Sequence, residues 1–241
     1  MTNRVFVGAV ASAALAGLLF GFDTAVIAGV ITDLKKLFSL SAAQEGATVS
    51  IALIGTLIGA LCSGAIGDKH GSRNALRVMA LLYLVSGLGC ALAWDWFSLM
   101  LFRFIGGLAI GGSSVLAPVY ISEIAPPERR GALVGLFQLN IVVGILVAYL
   151  SNYLIGQLDL GALEWRWKLG VTAAPAALLL AMLQYIPHSP RWLAAKTRDA
   201  EALAALQRIG VARAEQALQT IKASLAEHEQ GGQASLSWRD H

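Results

Sequence analysis

Six apolar runs, each long enough to cross a bilayer, restrict this chain to a very small set of folds. They fall at about 5–31, 47–66, 76–94, 97–121, 132–155 and 169–186. A helix needs about 20 apolar residues to span the hydrocarbon core. Inside that core every backbone N–H and C=O must find a partner within the protein, so only helices and closed barrels can cross it. The runs are continuous rather than alternating, which selects helices over barrel strands. Composition agrees: 56% of residues are hydrophobic and 14% charged, against roughly 25% charged residues in soluble domains. Mean hydropathy is +0.65. The predicted fold class is an all-α membrane protein with six transmembrane helices followed by amphipathic helices.

The flanks set the expected orientation. Arg4 followed by an apolar stretch and Ala11-Ser12-Ala13 imitates a secretory leader. The run is too long for one and five more follow, so it reads as an uncleaved first span. Lys69, Arg73, Arg77, Arg129, Arg130, Arg191, Lys196 and Arg198 join Arg4 on one side, against Lys35, Lys36, Arg166 and Lys168 on the other. Basic residues in short loops mark the cytoplasm. Both termini are expected there, in a multi-pass protein of the plasma (inner) membrane. The pI near 9 then reflects these loops, and no nucleic-acid partner is implied. Cys62 and Cys90 lie within apolar runs without metal-ligand spacing and read as packing residues.

Three segments follow: a six-span transmembrane bundle over 1–188, a cytoplasmic helical segment over 189–229, and a flexible C-terminal tail over 230–241. In the middle segment Ala202, Leu203, Leu206 and Ile209 give a short amphipathic helix ending at Gly210. A second is predicted from Ala212 to about Glu227, before Gly231-Gly232 loosens the chain.

The spans carry few charges, and those few are informative. From Val5 to Ile31 the sole ionisable residue is Asp23. A carboxylate at that depth costs several kcal/mol unless it is paired, protonated or beside water. Arg103 stands inside the fourth span. Counting from the outer ends, Asp23 lies roughly 12 Å deep and Arg103 roughly 9 Å deep, at about 1.5 Å per residue. The two depths match. A pair between them would relieve both burial costs and leave Asp23 poised for protonation; a permanently closed structural ion pair is the competing reading. Gln138 in the fifth span offers two donors and an acceptor, which suits a hydroxyl-rich ligand or an interhelical hydrogen bond. Phe20, one turn from Asp23, could give a sugar ring an apolar wall. Small residues recur every fourth position, at Ala13, Gly17, Gly21, Ala25 and Gly29 and again at Gly55, Gly59, Ser63 and Gly67. They predict a tight bundle. No nucleophile–base pair and no metal cluster appears, so neither an enzyme nor a cofactor is expected.

Five ordered segments resemble the motifs of the sugar porter family of the major facilitator superfamily. They are Gly21-Phe22-Asp23, Gly64-Ala65-Ile66-Gly67-Asp68-Lys69-His70-Gly71-Ser72-Arg73, Arg103-Phe104-Ile105-Gly106-Gly107, Glu123 to Gly131, and Pro187-His188-Ser189-Pro190-Arg191-Trp192. The resemblance implies the N-terminal half of a major facilitator fold, a 3+3 inverted repeat, working by alternating access. It implies Asp23 as proton acceptor, Arg103 as its partner, and Phe20 and Gln138 beside the sugar. Asp68, Arg73, Glu123, Arg130 and Arg191 would form a cytoplasmic gate.

The chain also departs from the family pattern. Lys69 replaces an Arg, which keeps the charge and loses the planar fork. Ser72 removes a basic residue, His188 replaces a Glu, and Ile145 stands where some relatives carry a second glutamine. Members have twelve spans and six are present here, so a second six-span half is an expected partner besides sugar, proton and lipid bilayer. The expected function is transport of a sugar or related polyhydroxy solute, by proton symport. A sugar uniporter, a non-transporting fragment and a membrane sugar sensor are the alternatives.

Overall fold

The computed structural model describes residues 3–237, with side chains described through residue 227. It contains eleven α-helices: α1 (Arg4–Val26), α2 (Ile31–Leu37), α3 (Ala42–His70), α4 (Ser72–Leu92), α5 (Trp96–Ile124), α6 (Arg130–Gly156), α7 (Glu164–Gly170), α8 (Ala173–Tyr185), α9 (Pro190–Ala195), α10 (Asp199–Ile209) and α11 (Ala214–Ser237). Six helical stretches have the length and apolarity to cross a membrane, and they match the six predicted runs. The protein is an integral, multi-pass membrane protein.

Two spans are discontinuous. After α1 the chain tightens into a 3₁₀ turn at Ile27–Gly29 before α2. The sixth span breaks at Val171–Thr172 between α7 and α8. Pro175 lies in the first turn of α8, where its missing N–H would otherwise have bonded back across that break. Sequence periodicity alone had this as one run.

The bundle is organised by close backbone contacts. In α3 the residues facing inward are Thr48, Ala52, Gly55, Gly59, Ser63 and Gly67, which includes the predicted small-residue stripe. A Cβ on Gly55 would meet Phe104 O of α5 at 2.5 Å, and one on Gly111 would meet Ala60 N of α3 at 2.7 Å. The same device joins α1 to α6. A Cβ on Gly17 would stand 2.5 Å from Phe137 O, one on Gly21 would run into Ile141 O, and one on Gly144 into Leu18 O. Both pairs run parallel, with contacts advancing together along the two chains. Exchanging the first three spans for the second three maps the α3–α5 contact onto α6–α1, and α4–α5 onto α8–α1. This is the 3+3 pattern expected of the fold.

Aromatic and aliphatic side chains fill what the glycines leave. Tyr83, Tyr120, Leu19, Leu116 and Leu179 are fully buried in the larger core, which continues into Leu193, Leu206 and Ile209 of the tail helices. The tail is therefore docked on the bundle. Asn3, the N-cap of α1, donates through Nδ2 to Arg208 O of α10 at 2.8 Å. Helix α10 ends at Gly210 in the left-handed conformation, as its sequence predicts. Helix α11 runs on to Ser237, through the Gly231-Gly232 pair that reads as a loosening point. A mid-helix glycine costs only about 1 kcal/mol relative to alanine, which the surrounding helix formers can offset. The remainder of the predicted tail, 238–241, lies outside the described residues.

The ladders make a direct prediction. Substituting Gly21, Gly111 or Gly144 with alanine forces packed backbones apart, at about 1–3 kcal/mol each. Gly8 and Gly64, where an added Cβ meets nothing within 4 Å, should accept alanine without loss. Thermal unfolding of the detergent-solubilised variants, followed by circular dichroism, checks the contrast.

Candidate functional site

Asp23 and Arg103 are both buried, on α1 and α5, which pack together. Gly106, one turn from Arg103, leaves room for Ser86 beside the carboxylate. A Cβ there would stand 2.5 Å from Ser86 Oγ and 3.8 Å from Asp23 Oδ1. The next residue, Gly107, faces the other way and admits the backbone of α3 at Ala52. The two adjacent glycines thus serve two different helices. In the sequence both glycines read only as part of the Arg103 to Gly107 motif; the space for Ser86 was not legible in it.

The pair itself is open. Among the described residues the ion pairs are Lys35–Glu45, Lys168–Glu164, Arg198–Glu201 and Lys222–Asp199. Arg103 Nε instead donates to the backbone carbonyl of Thr48 at 3.2 Å. Trp96 Nε1 donates to Thr48 Oγ1 at 2.9 Å, which ties the start of α5 to the same turn of α3. The guanidinium is therefore held from behind by α3 while sharing its neighbourhood with Asp23. Thr48 and Trp96 are contributors that the sequence reading missed. Each looks like an ordinary residue near a helix end.

Phe20 and Gln138 lie on the two helices joined by the glycine ladder. Since Gly17 faces Phe137 and Gly21 faces Ile141, Gln138 sits near the level of residue 18 of α1. That is about 7 Å along the axis from Asp23, at about 1.5 Å per residue. Gln138 is exposed, as is Thr24, whereas Phe20 is half-buried against the core. A polar amide and a hydroxyl thus remain uncovered on faces next to the buried carboxylate.

The five predicted gate residues gather at the end of the bundle that also carries the tail. No ion pair joins any two of them. Glu123 accepts from Ser72 Oγ at 2.9 Å. Arg73 donates to Ile186 O at 3.0 Å and lies 2.6 Å from His188 Nε2. Asp68 offers its backbone carbonyl to Trp192 Nε1 at 3.0 Å. Arg191 reaches Ser224 Oγ at 3.3 Å, and Arg130 is exposed. Ser72 and His188, two of the departures from the family pattern, are the groups that Glu123 and Arg73 now engage. Trp192 packs over Gly71, whose φ of 83° is in the region that favours glycine, and stacks on the His188 ring at 5.3 Å.

Part of this basic cluster has a structural task. The last carbonyls of a helix lack intrahelical partners. At the end of α8, Leu183 O accepts from Arg77, Tyr185 O from Arg208 and Ile186 O from Arg73. Just beyond, Pro187 O accepts from Tyr120 at 2.9 Å. Guanidinium groups there also complement the negative end of the helix dipole. At the opposite end of the bundle Lys168, predicted as a loop charge, is buried. It donates to Gly29 O at 3.1 Å while pairing with Glu164. Asn152 donates to Val26 O at 3.2 Å, so the carbonyl before the 3₁₀ turn and the last one within it are both held.

A six-span bundle with two discontinuous spans, and a buried carboxylate and guanidinium within its spans, fits the inverted-repeat halves of transporters. Comparison with known proteins identifies the group. The family described as "Sugar (and other) transporter" matches residues 9–240, and the chain belongs to it, as the N-terminal six-span half of a sugar porter of the major facilitator superfamily. It is 40% identical over 230 residues to the arabinose-proton symporter of Bacillus subtilis, covering 93% of this chain and 50% of that protein. It is 42% identical over 180 residues to the D-xylose transporter of Levilactobacillus brevis, covering 75% and 39%. The structure of the proton:xylose symporter XylE bound to 6-bromo-6-deoxy-D-glucose superposes with a TM-score of 0.91 at 33% identity, covering 99% of this chain and 57% of that one. The chain spans about half the length of the curated relatives it matches. These relatives and neighbours are transporters, not enzymes.

His188 gives this end of the bundle a pH signature. Burial, followed by the positive charge of Arg73, pushes its imidazole down from 6.5 to about 4. The unfolded chain therefore takes up a proton that the folded chain refuses between those values. Stability is full above about pH 6.5 and falls as pH drops toward about 4. Thermal melts across that window should decline more steeply for the parent than for His188→Gln; parallel curves would remove His188 from the account.

Proposed function

We propose that the chain supplies the N-terminal six spans of a proton-coupled sugar symporter, completed by a second six-span half. The observation that carries this reading is Asp23: a buried mid-span carboxylate beside a guanidinium that is anchored elsewhere. Such a carboxylate can exchange a proton without first breaking a closed ion pair. In the ionised state Arg103 compensates its charge across the gap. Protonation removes that attraction and frees α1 and α5 to shift relative to each other, so proton binding biases which side of the bundle is open. Phe20 and Gln138 contact the sugar from α1 and α6, through an apolar ring face and hydroxyl hydrogen bonds.

Asp68, Arg73, Glu123, Arg130 and Arg191 form the gate at the end bearing the termini, which faces the cytoplasm across the plasma (inner) membrane. The relatives described as an arabinose-proton symporter and a D-xylose transporter support a monosaccharide as substrate. Uniport, in which the Asp23 and Arg103 pair shapes the gate without exchanging a proton, is the second reading.

Expression of the chain with a matching second half separates these readings. Sugar addition should alkalinise the medium and drive accumulation. Asp23→Asn should abolish accumulation while leaving sugar counterflow measurable. Accumulation that survives Asp23→Asn defeats the coupling role, and counterflow without accumulation in the parent protein establishes uniport.

A further inference from the structure

On the face that carries the tail, a cavity of about 690 Å³ lies between the bundle and the docked tail helices. Its apolar wall includes Phe6 of α1, Ile209 of α10 and Ile221 of α11. Arg129, Arg130 and Arg191 also line it. None of these three guanidiniums has an ion-pair partner among the described residues. The hydrogen-bond partner of Arg191 is the neutral hydroxyl of Ser224. Glu123, the carboxylate on the lining, is engaged with Ser72. The space thus combines an apolar wall with three cations against one carboxylate, an excess of positive charge.

The position narrows the occupant. Helix α5 ends at Ile124 and α6 begins at Arg130, so the cavity sits where two spans leave the hydrocarbon, at the level of lipid headgroups. Basic pockets beside transmembrane helices suit anionic headgroups, and arginine matches phosphate oxygens with its planar fork. The volume falls within the range of about 300–1,000 Å³ typical of small-molecule sites. We propose that this cavity binds a phosphate-bearing amphiphile of the anionic phospholipid type. Its phosphate lies among Arg129, Arg130 and Arg191, and the start of its acyl chain lies against Phe6, Ile209 and Ile221. Glu123, Arg130 and Arg191 are shared with the proposed gate, but binding is read without flux, so the two readings fail independently.

Native mass spectrometry of the full chain, released from an uncharged detergent, tests it with lysophosphatidylglycerol, lysophosphatidylcholine and glycerol phosphate as probes. One saturable lysophosphatidylglycerol is expected, with the choline lipid binding more weakly. Arg129→Gln should weaken binding about fivefold, the loss of one charge at a membrane surface. Thr220→Glu, at an exposed position of the same lining, introduces a carboxylate and should weaken it at least as much. Lys36→Gln, an exposed charge at the opposite end of the bundle, should change nothing. Equal binding of the two lysolipids, or indifference to both cavity substitutions, overturns the proposal. Displacement by glycerol phosphate at matching concentration also overturns it, by making the site one for free phosphate.

Discussion

Direct contact between helix backbones is the interaction on which the rest of this protein depends. Lipid tails are as apolar as leucine, so hydrophobicity alone gives spans little reason to associate. What holds them is van der Waals contact at distances that only glycine, alanine and serine permit. Gly55 and Gly111 bring α3 against α5, while Gly17, Gly21 and Gly144 bring α1 against α6. Once those pairs are set, Asp23, Arg103 and Thr48 have fixed depths. The open pair of Asp23 and Arg103 follows from where the ladders place the helices as much as from the charges themselves.

The basic end shows how few residues can serve both structure and function. Arg73 caps the Ile186 carbonyl at the end of α8 and also engages His188. A guanidinium satisfying backbone acceptors is costly to remove whatever else it does, because a buried unpaired carbonyl costs about 1–3 kcal/mol. Loss of transport on mutating Arg73 would therefore not by itself identify a gate. Ser72 and His188 keep Glu123 and Arg73 occupied with neutral partners, without ion pairs inside the cluster.

Six spans, the tail helices and the small-residue stripes were legible in the sequence because each depends on local pattern: run length, four-residue spacing, and Gly210 after an amphipathic repeat. The break at Val171–Thr172 was hidden, since Pro175 in an apolar run reads as part of the run until backbone bonding is considered. The matching depths of Asp23 and Arg103 were legible, but the competition from Thr48 O was not, because any helical carbonyl can accept and sequence does not mark which one will. Lys168 looked like a loop cation for the same reason. Its burial depends on the carbonyl of Gly29 being turned out by a 3₁₀ turn that no composition rule announces.

The α1–α6 ladder also limits how the two helices can travel. Gly17 and Gly21 of α1 are seated against carbonyls of α6, and Gly144 of α6 against one of α1, at levels that advance in step. Sliding by a fraction of a turn would drive Cα atoms into those oxygens. Relative displacement is then quantised: the pair stays in register and moves as one beam, or it jumps by a whole turn of about 5.4 Å. With Asn152 and Lys168 clamping the far end of the first span to α6 and α7, the first of these is the low-energy course. A rotation begun at one mouth of the bundle is thereby delivered undiminished to the other.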